Sequence, residues 1–208
     1  MLQECLNYIE RNGPDIAVQI LDHMKISLAA LLIAVLIGVA GGYAASVSRR
    51  GEKWIMGLFQ ILRVIPSLAI LVLLIPLTGL GRTTAVIVLC AYNQYLLLGN
   101  FLTGLNEVDP GVREAAKGIG MTAMQELFLV QIPLARKALF AGIRLAMVST
   151  IGIGTIAAAI NAGGLGTLLF DGLRTMNTAK ILWGSLLSAV LAGSANGLLK
   201  LAEKGVRR

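Results

Sequence analysis

The sequence predicts an all-α integral membrane protein with five transmembrane helices. Three observations carry that expectation. Only 14% of the 208 residues are charged and 56% are apolar, with a mean hydropathy of +0.78, whereas a soluble domain carries about 25% charged residues. A bilayer-spanning helix needs about 20 apolar residues, and such runs occur at Ile26 to Val47, Ile55 to Leu77, Thr83 to Leu105, Ala138 to Ile160 and Ile181 to Leu201. The cations then sort to one side. With the polar segment 109–133 in the cytoplasm, the inner side holds Arg49, Arg50, Lys53, Arg113, Lys117, Arg136, Lys137, Lys200, Lys204, Arg207 and Arg208. The outer side holds Arg11, Lys25, Arg82, Arg174 and Lys180. The N-terminus is therefore expected outside and the C-terminus inside, and the net charge of +7 reflects topology, with no nucleic-acid partner implied.

Residues 1–24 read as an N-terminal extracytoplasmic segment and 25–208 as one transmembrane domain. Glu4, Glu10 and Asp15 stand where a cleavable signal would have a basic start and an apolar run. The lone His23, beside Asp22 just before the first span, reads as a membrane-interface residue. The first span ends in "GVAGGYAAS", where Gly38-x-x-x-Gly42 would allow another backbone to come close. In the second span Pro66, followed by Ser67, should kink the helix, because proline lacks a backbone donor and clashes with the preceding turn. A kinked helix among tightly packed neighbours suits the wall of a pathway. Pro66 and Ser67 are therefore candidate pathway residues, as are Tyr92 and Tyr95 of the third span, for which anchoring or core packing is the structural alternative. Arg63 and Arg144 lie about two turns inside their spans, to be accommodated by snorkelling or by pairing with a polar partner. Cys5 and Cys90 read as free cysteines, without a disulfide or metal framework. The fourth and fifth spans are rich in Gly, Ala and Ser, and "NAGGLGTLLFDGLRTMNTAK" between them reads as a loop.

The segment 109–133 is the most polar long stretch. Asp109-Pro110 is a helix start, an N-cap acceptor followed by a residue already set to helical φ. Val112, Ala115, Ala116 and Ile119 follow at i, i+3, i+4, i+7, the spacing of one apolar face. Gly120 stops the helix as a left-handed cap residue, and Thr122 with Gln125 forms a capping box that starts a second helix, expected to end at Pro133. The apolar face is narrow and lacks Trp or Phe anchors, so it suits a groove on another protein better than a membrane surface.

Glu114-Ala115-Ala116, Gly120, then Val130, Ile132 and Pro133 resemble the signature Glu-Ala-Ala-x-x-x-Gly-x9-(Ile/Val)-x-(Leu/Ile)-Pro of ABC importer permeases. "IPSLAILVLLIPLTGLG", "GLNEVDPGVREAAKGIGM", "AGIRLA" and "NAGGLG" look like the osmoprotectant branch of that family. The resemblance implies a type I ABC importer permease fold with a cytoplasmic coupling helix, in a bacterial inner or plasma membrane. It implies ATPase-coupling roles for Val112, Arg113, Glu114, Ala115, Ala116, Lys117, Ile119, Gly120 and Met121. The partners it implies are an ABC ATPase dimer, a second permease subunit of the same or a homologous chain, an extracytoplasmic substrate-binding protein and the lipid bilayer. The substrate it implies is glycine betaine, carnitine or choline, with another small polar solute such as an amino acid as the alternative. Asn161-Ala162 and the proline-free "YNQYLLLGN" depart from the branch's usual pattern.

No Gly-x-x-x-x-Gly-Lys-(Ser/Thr) loop occurs, so no cofactor is expected on this chain, and ATP and Mg belong on the partner ATPase. Gly152-x-Gly154-x-x-Ala157 formally matches a dinucleotide fingerprint but lies inside a span with no strand before it. A membrane enzyme would need paired carboxylates or a nucleophile–base pair within the bundle. The spans contain no acidic residue, so no catalytic residues and no metal ligands are assigned.

Overall fold

In the computed structural model, residues 2–46 and 49–206 are described, and among them the chain is entirely helical. The helices are α1 (Leu2–Ser46), α2 (Arg49–Val64), α3 (Ser67–Thr78), α4 (Arg82–Asn106), α5 (Pro110–Gly118), α6 (Ala123–Glu126), α7 (Ile132–Ala157), α8 (Leu165–Arg174) and α9 (Thr178–Val206). Four stretches, within α1, in α4, from α6 through α7, and in α9, are each long and apolar enough to cross a membrane. The bent pair α2 and α3 makes a fifth if counted as one span. Val47, the expected end of the first span, and the terminal Arg207-Arg208 lie outside the described residues.

Helix α1 has 45 residues, which at 1.5 Å per residue is about 67 Å, roughly twice the hydrocarbon thickness of a bilayer. It runs without a break through the expected boundary at residue 24, so the N-terminal segment continues the first span. That extension is tied down at its start, where the Trp183 indole donates to the Cys5 carbonyl at 2.9 Å. Small residues set the packing of the central helices. A Cβ at Gly42 would sit 2.4 Å from the Phe101 ring, and one at Gly104 would sit 2.8 Å from Ala138. Gly38 and Gly42 thus serve contact between α1 and α4 within one chain. Ala30, Ala34, Leu71, Val88, Leu89, Leu98, Ala146 and Ile151 fill the core between them.

Three local expectations change. The second span is broken outright: α2 and α3 meet at 99°. Proline forces its preceding residue out of helical geometry as well as withholding a donor. Pro66 accordingly takes φ −55°, ψ 133° and becomes the N-cap of α3, with its carbonyl accepting from Ala69 at 2.9 Å. The Tyr92 hydroxyl donates to the Ile65 carbonyl at the break. His23, expected at the membrane interface, is buried within the protein: it is 2% exposed and donates through Nε2 to the Ile151 carbonyl at 3.1 Å. Gly154 and Gly164 leave the room for its ring, since a Cβ on either would lie within 3.3 Å of it. The third change is in the loop between the fourth and fifth spans, which contains α8. Asn161, Gly163 and Gly164 take positive φ and turn the chain back, and Leu165 and Leu168 then bury. Long connections without structure are uncommon in compact folds, and this one builds its own helix against α9.

The two arginines expected inside spans both have partners. Arg144 donates to Glu203 of α9 at 2.7 Å, and Arg63 stacks over the Tyr95 ring at 5.1 Å from its centroid. Cys5 and Cys90 are free.

Candidate coupling site

The segment after α4 builds an elbow from local rules. The Asp109 carboxylate accepts from the Gly111 amide at 2.7 Å, and Pro110 opens α5. The helix ends at Gly118, with Ile119 as C-cap, and Gly120 takes φ +80°. Gly120 N–H donates to the Lys117 carbonyl at 2.9 Å and Met121 N–H to the Ala116 carbonyl at 3.1 Å. These two bonds are the Schellman pattern, which needs a left-handed residue at the position Gly120 holds. The capping box follows at once: Thr122 N–H donates to Gln125 Oε1 at 2.8 Å, and Gln125 N–H to Thr122 Oγ1 at 3.3 Å. The Schellman cap of one helix and the capping box of the next thus follow each other directly around Gly120.

Pro133 does not end the second helix. Leu127 to Gln131 form a π-helical turn in which Ile132 N–H reaches back to the Leu127 carbonyl. The widened turn absorbs the donor that proline lacks and the space its ring takes, so α6 passes into α7 as one continuous rod.

The expected apolar face is split. Val112 is 42% and Ile119 75% exposed, and Ala115 and Glu114 are exposed with them. Ala116 is 5% exposed and packs into its own chain. Arg113 turns away from that outer face: its Nε donates to Glu126 Oε1 at 2.9 Å. Lys117 joins Arg113, Lys53, Glu52 and Tyr43 around an open cavity of about 820 Å³ behind the elbow. Met121 is half-buried. Pro66 and Ser67 form the break between α2 and α3, and of the two tyrosines only Tyr92 is bonded to it. Tyr92 is 8% exposed, and Tyr95 is half-buried beneath Arg63. Glu126 and Gln131 were not legible as site residues. They lie 13 and 18 positions beyond Arg113, and only the fold of the elbow brings them to it.

Residues 20–208 match the family described as binding-protein-dependent transport system inner membrane component. The chain belongs to this family. The permease is 34% identical over 203 residues to the choline transport system permease protein OpuBB of Bacillus subtilis, covering 98% of this chain and 94% of that one. It is 34% identical over 204 residues to the carnitine transport permease protein OpuCD of Listeria monocytogenes, covering 98% and 92%. The osmoprotectant import permease protein OsmW of Salmonella typhimurium is 35% identical over 218 aligned positions, covering 98% and 100%. Among solved structures, an inward-facing form of the MetNI methionine ABC transporter superposes with a TM-score of 0.85 at 21% identity, covering 93% of this chain and 96% of that one. An amino acid ABC transporter crystallised with histidines superposes with a TM-score of 0.78 at 20% identity, covering 95% and 96%. The fold is that of a type I ABC importer permease, and the protein is an integral inner-membrane component of such an importer.

Proposed function

We propose that this permease serves an ATP-driven importer of a quaternary-ammonium osmoprotectant, glycine betaine, carnitine or choline, and that α5 with the Gly120 elbow is its coupling helix. The observation that carries the coupling role is the exposed apolar row Val112, Ala115 and Ile119 on a helix capped at both ends. An exposed apolar face on a capped helix fits a groove on another protein. The solute class rests on the names of the relatives, which match almost the full length of the chain.

Two permease subunits, identical or homologous, enclose one pathway, with two ATPase subunits below and an extracytoplasmic binding protein above. ATP and Mg sit on the ATPase subunits. A ligand-driven change of state requires contacts that differ between the states. Closure of the ATPase pair draws the two elbows together, and because α6 continues into α7, that displacement reaches the bundle directly. The N-terminus of α1 lies outside and the C-terminus of α9 in the cytoplasm.

The solute assignment is tested on the cognate binding protein, titrated separately with glycine betaine, carnitine, choline, methionine and histidine. Tight binding of at least one quaternary ammonium is expected, and tight binding of an amino acid alone would overturn the assignment. Orientation is tested in a background with Cys5 and Cys90 replaced by Ala. An impermeant thiol reagent added to intact cells should label Asp15→Cys and spare Lys204→Cys, both at exposed positions. The reverse pattern rejects the topology.

A further inference from the structure

We propose that Glu126 is a positioning residue for energy coupling: acting through Arg113, it fixes the angle between the coupling helix α5 and the rod formed by α6 and α7. The inference rests on the coupling role of α5 proposed above.

The elbow has one weak point. Its only covalent link between α5 and α6 runs through Gly120, where an added Cβ would meet no atom within 4 Å. Caps define the ends of each helix but do not brace one against the other. Without a tie across it, a push on α5 would swing it about Gly120 and be lost before reaching α7. Across this hinge, Glu126 Oε1 accepts from Arg113 Nε of α5 at 2.9 Å and from Gln131 Nε2 of the π turn at 2.6 Å. One carboxylate oxygen therefore joins the helix before the hinge to the turn after it.

Burial makes the brace stiff. Glu126 is 4% exposed on the wall of the cavity behind the elbow, and separating a largely buried carboxylate from its cation costs more than parting a pair in open solvent. A surface pair in the same place would exchange with solvent and hold little. Arg113, with its side chain 41% exposed, can follow the carboxylate from the cavity side. Lys117, one turn along α5 on the same cavity wall, adds positive charge near the same carboxylate. The brace needs the buried acid and the cation on opposite sides of Gly120, and these are the positions they occupy.

The experiment uses the assembled importer in lipid vesicles, measuring ATP hydrolysis and uptake of radiolabelled glycine betaine, carnitine or choline. Glu126→Ala, Arg113→Ala and the double variant are compared with the parent. With the brace gone, uptake per ATP should fall about tenfold while hydrolysis stays within about twofold, and the double variant should be no worse than either single one, as for residues acting as a unit. Spin labels at Gly118→Cys and Leu134→Cys, on either side of the hinge, read its geometry without reference to transport. Their distance distribution should be narrow in the parent and broad in Glu126→Ala. Should Glu126→Ala reduce the yield of complex, Glu126→Gln keeps the side chain's shape and reads the loss of charge, again as lower uptake per ATP. An unchanged distance distribution, or additive losses in the double variant, overturns the brace. Broadened distances with unchanged uptake per ATP overturn its role in coupling. Ala115→Trp, run alongside, separates this failure from that of the coupling helix itself, since it tests α5 without touching the brace.

Discussion

Ala115→Trp is expected to uncouple the permease from its ATPase while leaving the membrane helices folded. Ala115 is exposed on α5 between Val112 and Ile119, so in this chain an indole there projects outward into open space. On the proposed coupling role, the ATPase groove takes up that space in the assembled importer. Overpacking a fitted contact costs about 1–3 kcal/mol, and about 1.4 kcal/mol is a factor of ten in an equilibrium. ATPase retained on purification should therefore fall roughly tenfold or more, and substrate-stimulated hydrolysis with it. Ala116 is the wrong place for this test. It is 5% exposed within its own chain, so a bulky residue there disturbs the elbow before any partner is met. Glu114→Ala should have a smaller effect, because an exposed charge contributes about 1 kcal/mol at most. Wild-type ATPase retention and hydrolysis in Ala115→Trp would remove α5 from the coupling role.

What could be read from the chain alone follows from how local each signal is. The elbow was legible almost residue by residue, since Asp109-Pro110, Gly120 and the Thr122–Gln125 box act on neighbours within four positions. The apolar runs announced the spans for the same reason. Long-range features were not legible. A buried His23 looks the same in sequence as an interfacial one until Gly154 and Gly164, more than a hundred residues away, are packed against it. Pro66 gave the position of a disruption but not its size, because a kink and a 99° break differ only in what receives the freed groups, here the Tyr92 hydroxyl for the Ile65 carbonyl. Pro133 misled in the other direction. A π turn just before a proline removes the conflict that ends a helix, and no residue pattern in Leu127 to Gln131 advertises that turn. Within the candidate site, the outward face was readable from period, but the split between Ala115 and Ala116 depends on where the body of the chain lies. The carboxylate that meets Arg113 was hidden for the same reason.

Gly166→Ala is expected to be the most destabilising glycine-to-alanine change among the described residues of this permease. Gly166 opens α8 where the chain turns back after α7, and an added Cβ would lie 1.9 Å from the Thr155 carbonyl oxygen and 2.7 Å from the Ala158 Cβ. Neither neighbour can step aside by rotating a side chain, since the first is backbone and the second is already an alanine. Relief requires α8 to move away from the end of α7. That movement also strips the packing of α8 on α9, where Gly184 lets the Leu169 backbone approach to within 3.1 Å of the Cβ position. Overpacking of this kind costs about 3 kcal/mol or more, the upper end of the usual range. For a chain of about 200 residues each kcal/mol moves the melting temperature by roughly 2–4 °C, so a drop of roughly 6–12 °C is expected in lipid nanodiscs. Gly193→Ala is the control. It lies in α9 with no atom within 4 Å of its Cβ position, and alanine there gains up to about 1 kcal/mol of helix propensity. Its melting temperature should be unchanged or slightly higher. Equal melting temperatures for the two variants would mean that α8 does not pack on the end of α7.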